Sequence, residues 1–248
     1  MKRTRQFLIL IVLSISLLPG CGNQAETPTA DHLAKFDKQG TAVLRGYIVR
    51  GTSAPDNSDS LSIDVPVKME SMDAALNVPF RVINESIISS TTTKQTDVLE
   101  YLSFHRGAAI SEAFPTNALV EVKFRSTGTD FVAISIHEVE EGFSLFNNTP
   151  KIGAAFAMEN FAAGMLRGHI SQSLQQNDGT LLWRVAVPIT MQGNQVSVVV
   201  WVQSAPDTEV ISTSGNIIML KDVTGDVQIN FTRSKNVLTA HQVTIIAP

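Results

Sequence analysis

The sequence predicts a mainly all-β chain of two tandem Greek-key units, each of about five short strands, with short helices at the joints. Three observations carry this. First, Leu44-Arg45-Gly46-Tyr47-Ile48 returns as Leu166-Arg167-Gly168-His169-Ile170, an offset of 122. The same offset carries Leu61, Ile63, Val65, Pro66, Val67 and Met69 onto Trp183, Val185, Val187, Pro188, Ile189 and Met191. Second, Val120, Val122 and Phe124 return as Val227, Ile229 and Phe231 at an offset of 107, so the second copy is 15 residues shorter in mid-unit. Third, the apolar residues alternate with period two, the mark of half-buried strands. Internal repetition of this length fixes the architecture before any local reading does.

The first copy opens on a strand from Thr41 to Arg50. Gly51 to Asp59 is pure turn composition. Leu61, Ile63, Val65, Val67 and Met69 then alternate with polar residues, and Pro66, which has no N–H to donate, marks an edge or bulge. Val78 to Ile88 is a third strand. Val98 to Phe114, which holds the residues the second copy lacks, is compatible with a short helix or an extra strand. Ala118 to Arg125 and Phe131 to Val139 complete the unit around a turn at Ser126–Asp130.

Between the copies, Thr149-Pro150 looks like a helix start. The Ala-rich run Lys151 to Phe161 predicts a short helix ended by Gly164. The second copy runs Met165 to Leu174, Leu181 to Met191, Val196 to Val202, Asp226 to Phe231 and Val237 to Ile246. Asp178-Gly179 suits a primed hairpin turn, and a second turn follows at Gln192-Gly193-Asn194. Val198, Val199 and Val200 are apolar on both faces, which places that strand centrally. The expected divisions are 1–20, 21–40, 41–140, 141–163 and 164–248. In order these are a leader, a tether, the first unit, a joint and the second unit.

The first 21 residues carry their own signal. Lys2, Arg3 and Arg5 precede an apolar run from Phe7 to Leu18, too short to span a bilayer comfortably and suited to a secretory leader. Leu18-Pro19-Gly20-Cys21 resembles a bacterial lipobox, with Pro19 standing where a small residue is commoner. By that resemblance the chain is cut between Gly20 and Cys21, and Cys21 carries a lipid. Several acyl chains give lasting attachment. Gly22 in place of an aspartate resembles outer-membrane sorting, facing the periplasm, if the host is Gram-negative. Asn23 to Asp31 reads as a polar tether, and Asp31 to Lys38 as a helical turn or two.

The wording of the copies resembles bacterial envelope domains of the OB-fold type, an uncharacterised group. Gly168-x-Ile170 opens the unit. Gly225-Asp226-Val227-Gln228-Ile229 and Leu238-Thr239-Ala240-His241-Gln242-Val243 close it. The first copy has Asn117-Ala118-Leu119 where the closing glycine would sit. The resemblance implies two OB-like barrels and supplies no catalytic residues, while the residue pattern itself leaves barrel and sandwich open.

The chain has 19 basic and 23 acidic residues, and loss of the leader's three cations makes it more acidic. That balance argues against nucleic acid as a partner. The single cysteine excludes an internal disulfide. The five histidines, His32, His105, His137, His169 and His241, show no metal-ligand spacing, and His137-Glu138 lacks the second histidine of a zincin helix. Glu138, Glu140, Glu141, Asp97 and Glu112 form no recognisable acid pair. No metal and no cofactor are expected. Tyr47, Tyr101 and Trp201 are the aromatics expected at a contact surface. Trp183 alternates with core valines and belongs inside. The expected function is a lipid-anchored, non-enzymatic envelope module that binds a protein or glycan or acts structurally. The alternatives are a hydrolase or metal-dependent enzyme with a site built from loops around Val98–Phe114, and assembly through exposed strand edges.

Overall fold

The computed structural model describes residues 30–49, 60–69, 72–105, 108–139, 151–152, 164–212, 219–234 and 237–246. Within them each copy closes into a ring. The first copy contributes β1 (Thr41–Val49), β2 (Ser60–Met69), β3 (Met72–Ser89), a two-residue β4 (Thr96–Asp97), α1 (Val98–Phe104), β5 (Leu119–Ser126) and β6 (Phe131–Glu138). A short β7 (Lys151–Ile152) follows. The second copy contributes β8 (Met165–Gln175), β9 (Leu181–Met191), β10 (Asn194–Ser212), β11 (Gly225–Ser234) and β12 (Val237–Ile245). The ring orders are β1-β2-β3-β6-β5 and β8-β9-β10-β12-β11, each returning to its first strand. Four pairings in each ring are antiparallel, and one, β3–β6 or β10–β12, is parallel. The described residues are therefore mainly β, in two tandem five-stranded OB-like barrels.

The pairing registers reproduce the offsets of the sequence. Asp64 faces Asn77 on β2–β3, and Ala186 faces Val199 on β9–β10. Both pairs are related by 122. Val82 faces Ala133, and Ser204 faces Ala240, so the offset has become 107 by the fourth and fifth strands. The opening glycines explain themselves. A Cβ on Gly46 would stand 2.7 Å from the Asp64 carbonyl oxygen, and one on Gly168 would stand 2.6 Å from that of Ala186. Neither strand tolerates a side chain where it crosses its neighbour this closely.

Both barrels also close with the same bulge. The β3–β6 register breaks between Val82 and Ile87, and the β10–β12 register between Ser204 and Glu209. Each break leaves a backbone donor and a facing carbonyl unmatched. In the first barrel the Ser86 hydroxyl accepts from Ile83 N (3.1 Å) and donates to Ala133 O (2.7 Å). In the second, Thr208 accepts from Ala205 N (2.6 Å) and donates to Ala240 O (2.7 Å). One buried hydroxyl per barrel thus satisfies two backbone groups that the bulge would otherwise orphan.

The interiors follow the alternation. Leu61, Ile63, Val65 and Val67 of β2, and Trp183, Val185, Val187 and Ile189 of β9, are all buried. The insert between β3 and β5 does not add a strand to the ring. Asp97 accepts from Glu100 N (2.7 Å) and caps α1, and Val98, Tyr101, Ile110 and Phe114 are buried over the barrel. At the other end Phe36 stacks edge-on to Phe124, with ring centroids 5.7 Å apart. This brings the segment before β1 onto the first barrel, while Ala30 N donates to Thr190 O of the second (2.8 Å).

Several local expectations change. Lys151–Ile152 pairs parallel with Lys68–Met69 instead of starting a helix, and 153–163 lie outside the described residues. The hairpin at Asp178-Gly179 is not primed. Gly179 N donates to Gln176 O (3.0 Å), and only Gly179 has positive φ (+86°), as in a type I turn closed by a left-handed glycine. The primed geometry sits one hairpin later, where Gln192 (φ +49°) and Gly193 (φ +75°) are both left-handed. The second copy enters its fourth strand through Gly225 (φ +86°); the first has its left-handed residue one position before that glycine's counterpart, at Asn117 (φ +58°), a residue that tolerates this region. β3 and β10 are far longer than expected, at 18 and 19 residues, because each runs through the bulge and also beyond its own ring.

Candidate binding groove at the joint of the barrels

The extra length of β3 and β10 joins the barrels. Ser197, Val198 and Val199 pair antiparallel with Asn77, Leu76 and Ala75. Val198 is the repeat equivalent of Leu76, so each faces its own counterpart. The flanking pairs, Ala75 with Val199 and Asn77 with Ser197, exchange under the same equivalence. The joint is a local two-fold, the self-complementary geometry of a symmetric dimer, made within one chain. Leu76 and Val198 are both fully buried, and the apolar interior runs unbroken through the joint.

One ion pair breaks this symmetry. Arg184 Nη2 of β9 donates to both carboxylate oxygens of Asp64 on β2, at 2.9 and 2.7 Å, and Arg184 Nη1 donates to Ser171 Oγ at 3.1 Å. Asn77 Nδ2 adds a third bond to Asp64 at 2.7 Å. The two side chains are 13% and 22% exposed. Across the two-fold the equivalent positions hold Ser62 and Ala186, which cannot make the pair.

Two clefts open on the outer face beside this joint. One, of about 440 Å³, is walled by Ser60, Asn77, Pro79 and Arg81 of the first barrel, its Thr129-Asp130 turn, and Gln195 and Ser197 of β10. The other, of about 520 Å³, is walled by Arg167 and His169 of β8, Pro188 of β9, Asp226 of β11, and again Gln195 and Ser197. Those two residues point the same way from alternate positions of β10 and wall both clefts, which lie side by side along a groove across the two barrels. His169 Nδ1 bonds Asp226 Oδ1 at 2.9 Å. Arg167 Nε donates to Gln228 (3.0 Å) where the first barrel has the ion pair of Arg45 with Glu121.

The aromatics do not converge. Trp201 is 39% exposed on the outer face of β10, opposite Arg184. Tyr47 is half-buried, opposite Asp64 on β2. Tyr47 and Trp201 are thus the strand partners of Asp64 and Arg184, but neither walls the groove. Tyr101 is corrected: it is 5% exposed and stacks on His105 at 4.4 Å under the insert. Burial, then the Glu112 carboxylate, raise its phenol above the usual tyrosine value. The insert lines neither cleft. Trp183 is fully buried, with its indole N–H unpartnered.

The other histidines with side-chain partners do not converge. His137 pairs with Ser89 (2.8 Å), His105 with Tyr101 O (3.1 Å), and His241 with Thr232 (2.9 Å). Glu138 accepts from Thr91 N (2.6 Å). Among the described residues no cluster of three metal-ligating side chains occurs, and no helix is long and apolar enough to cross a membrane. Gly20 and Cys21 lie outside the described residues. The groove residues carried no sequence signal beyond their outward phase on strands. Only the comparison of the two copies marks them, since Tyr47, Ala75 and Leu119 become His169, Ser197 and Asp226.

No family model matches the chain, and no curated protein matches it. Among solved structures it is similar to a deletion mutant of the single-stranded DNA binding protein from Thermus aquaticus. The two are 11% identical, over 86% of this chain and 84% of that one, at a TM-score of 0.17. A score of that size carries no argument about architecture or ligand, and the barrel assignment stands on strand order and register. The expectation that nucleic acid is excluded is withdrawn, because the charge argument beneath it is insufficient. Net charge is a sum over the whole surface, whereas an oligonucleotide meets one face. Lys123 and Arg125 stand exposed on β5, and Arg45 is close by on β1.

Proposed function

We propose that this protein is a lipid-anchored component of the bacterial envelope whose paired barrels act as a non-enzymatic binding module. The observation that carries the binding role is the groove that both barrels build together over Gln195 and Ser197. Its walls set hydrogen-bonding side chains, most of them on paired strands, among apolar ones such as Pro188 and Ile246, a favourable support for a preorganised site. The anchor rests on Lys2 to Cys21, with Cys21 as the lipidated residue and Gly20 as the last residue of the leader.

The anchor is tested by labelling cells that express the full chain with radioactive palmitate. The wild type takes up label, and Cys21→Ser does not. An unlabelled wild type, or one retaining its leader, removes the anchor from the proposal. The alternative, an envelope hydrolase, has one observation in its favour: Asp226 holds His169 Nδ1 as an orienting carboxylate holds a general base. Stoichiometric labelling of the pure protein by a fluorophosphonate, lost in His169→Gln, would decide for it.

A further inference from the structure

We propose that the groove takes an uncharged oligosaccharide, a reading that rests on the binding role given above. The groove's charges balance. Arg81 and Arg167 are offset by Asp130 and Asp226, so no net field selects a polyanion or polycation. What remains is a set of planar groups, amide, guanidinium and carboxylate, with hydroxyls between them. Such groups pair with neighbouring hydroxyls on a sugar, donating to one and accepting from the next.

A peptide fits less well. An extended peptide recognised through its backbone needs an open strand edge. β10 offers none here, because Ser197, Val198 and Val199 are paired on both sides, to β9 and to β3. A folded protein partner anchors aromatic side chains in apolar pockets. The groove's apolar surface, including Pro79, Ala186, Pro188, Val227 and Ile246, is interleaved with Arg81, Arg167, Asp130 and Asp226.

The two copies point the same way. His169, Ser197 and Asp226 stand where the first barrel has Tyr47, Ala75 and Leu119. All three are outward positions that the fold does not require to be polar, and all three wall the groove. At these three positions the second barrel carries a polar side chain where the first carries an aromatic or apolar one.

The test is isothermal titration of the full chain in detergent micelles with maltohexaose, cellohexaose and chitohexaose. A 12-nucleotide oligothymidine and an unstructured decapeptide complete the set. One hexaose is expected to bind saturably. The double substitution Gln195→Ala, Ser197→Ala should weaken it about tenfold, the loss expected from two neutral hydrogen bonds. The thermal transition should not move, because Gln195 is exposed and Ser197 half-buried. Hexaose binding that the double variant leaves unchanged overturns the assignment. If the peptide or the oligonucleotide binds instead, and the double variant abolishes it, the sugar is wrong and the binding module stands. If none of the five binds the wild type, both fail.

Discussion

Removing the Asp64 carboxylate from the joint should weaken the whole chain and uncouple its halves. The contact with Arg184 is short, at 2.7 Å, and the pair is only 13% and 22% exposed. At an effective dielectric near 20, charges in contact attract by several kcal/mol, and desolvation returns most of that. Exposed pairs are worth up to about 1 kcal/mol, while breaking a fully buried pair costs about 3–5 kcal/mol. The intermediate exposure here places Asp64→Asn at roughly 2 kcal/mol, with a coupling of about 1–2 kcal/mol to Arg184→Met in a double-mutant cycle. The assay can separate the barrels, because both tryptophans, Trp183 and Trp201, lie in the second. Tryptophan fluorescence in urea reports the second barrel, and far-ultraviolet circular dichroism reports both. The two curves should coincide in the wild type and separate in Asp64→Asn. A coupling below about 0.3 kcal/mol at low salt, with curves still coincident, would show that the pair is ornamental and that backbone pairing alone holds the joint.

Ser86→Ala and Thr208→Val should each cost about 1–3 kcal/mol, because each leaves a buried amide and a carbonyl at the bulge unmatched; chemical denaturation measures both, and a loss under about 0.5 kcal/mol refutes the shared role. Gly168→Ala should destabilise by at least about 1–3 kcal/mol, since its Cβ would meet Ala186 O at 2.6 Å and Val185 Cγ1 at 2.9 Å; an unchanged melting temperature would mean that the strands can part at no cost. Tyr101 has a raised phenol, so its contribution to stability is complete below the unfolded value near 10 and is lost as pH rises through the folded value. Stability measured from pH 9 to 11 should therefore fall less steeply in Tyr101→Phe than in the wild type, and parallel profiles would count against burial of the neutral ring.

Much of this architecture was legible because duplication leaves a numerical trace. The shift from 122 to 107 predicted that the fourth and fifth strands would follow a shortened connection, and the registers carry the same two numbers. The valine run at 198–200 showed that its strand had neighbours on both sides. It could not name β3 as one of them, because strand pairing leaves no mark on a single sequence. The Asp64–Arg184 contact spans 120 positions and was invisible for the same reason. The bulge hydroxyls were missed because Ser86 sits inside a stretch that reads as one regular strand, and Thr208 lies past Val202, where the apolar run stops. Tyr101 was misread as a contact residue from its amphipathic character. Its place in a helix packed over a barrel gave it a partner, His105, that no periodicity announces.

A symmetric homodimer must accept every substitution at both ends of its axis. Joining two copies in one polypeptide lifts that constraint. An arginine can appear at 184 without a twin at 62, and an aspartate at 64 without one at 186. The two halves are then free to carry different outer surfaces, and the pairing of Asn77 with Ser197 keeps them in step.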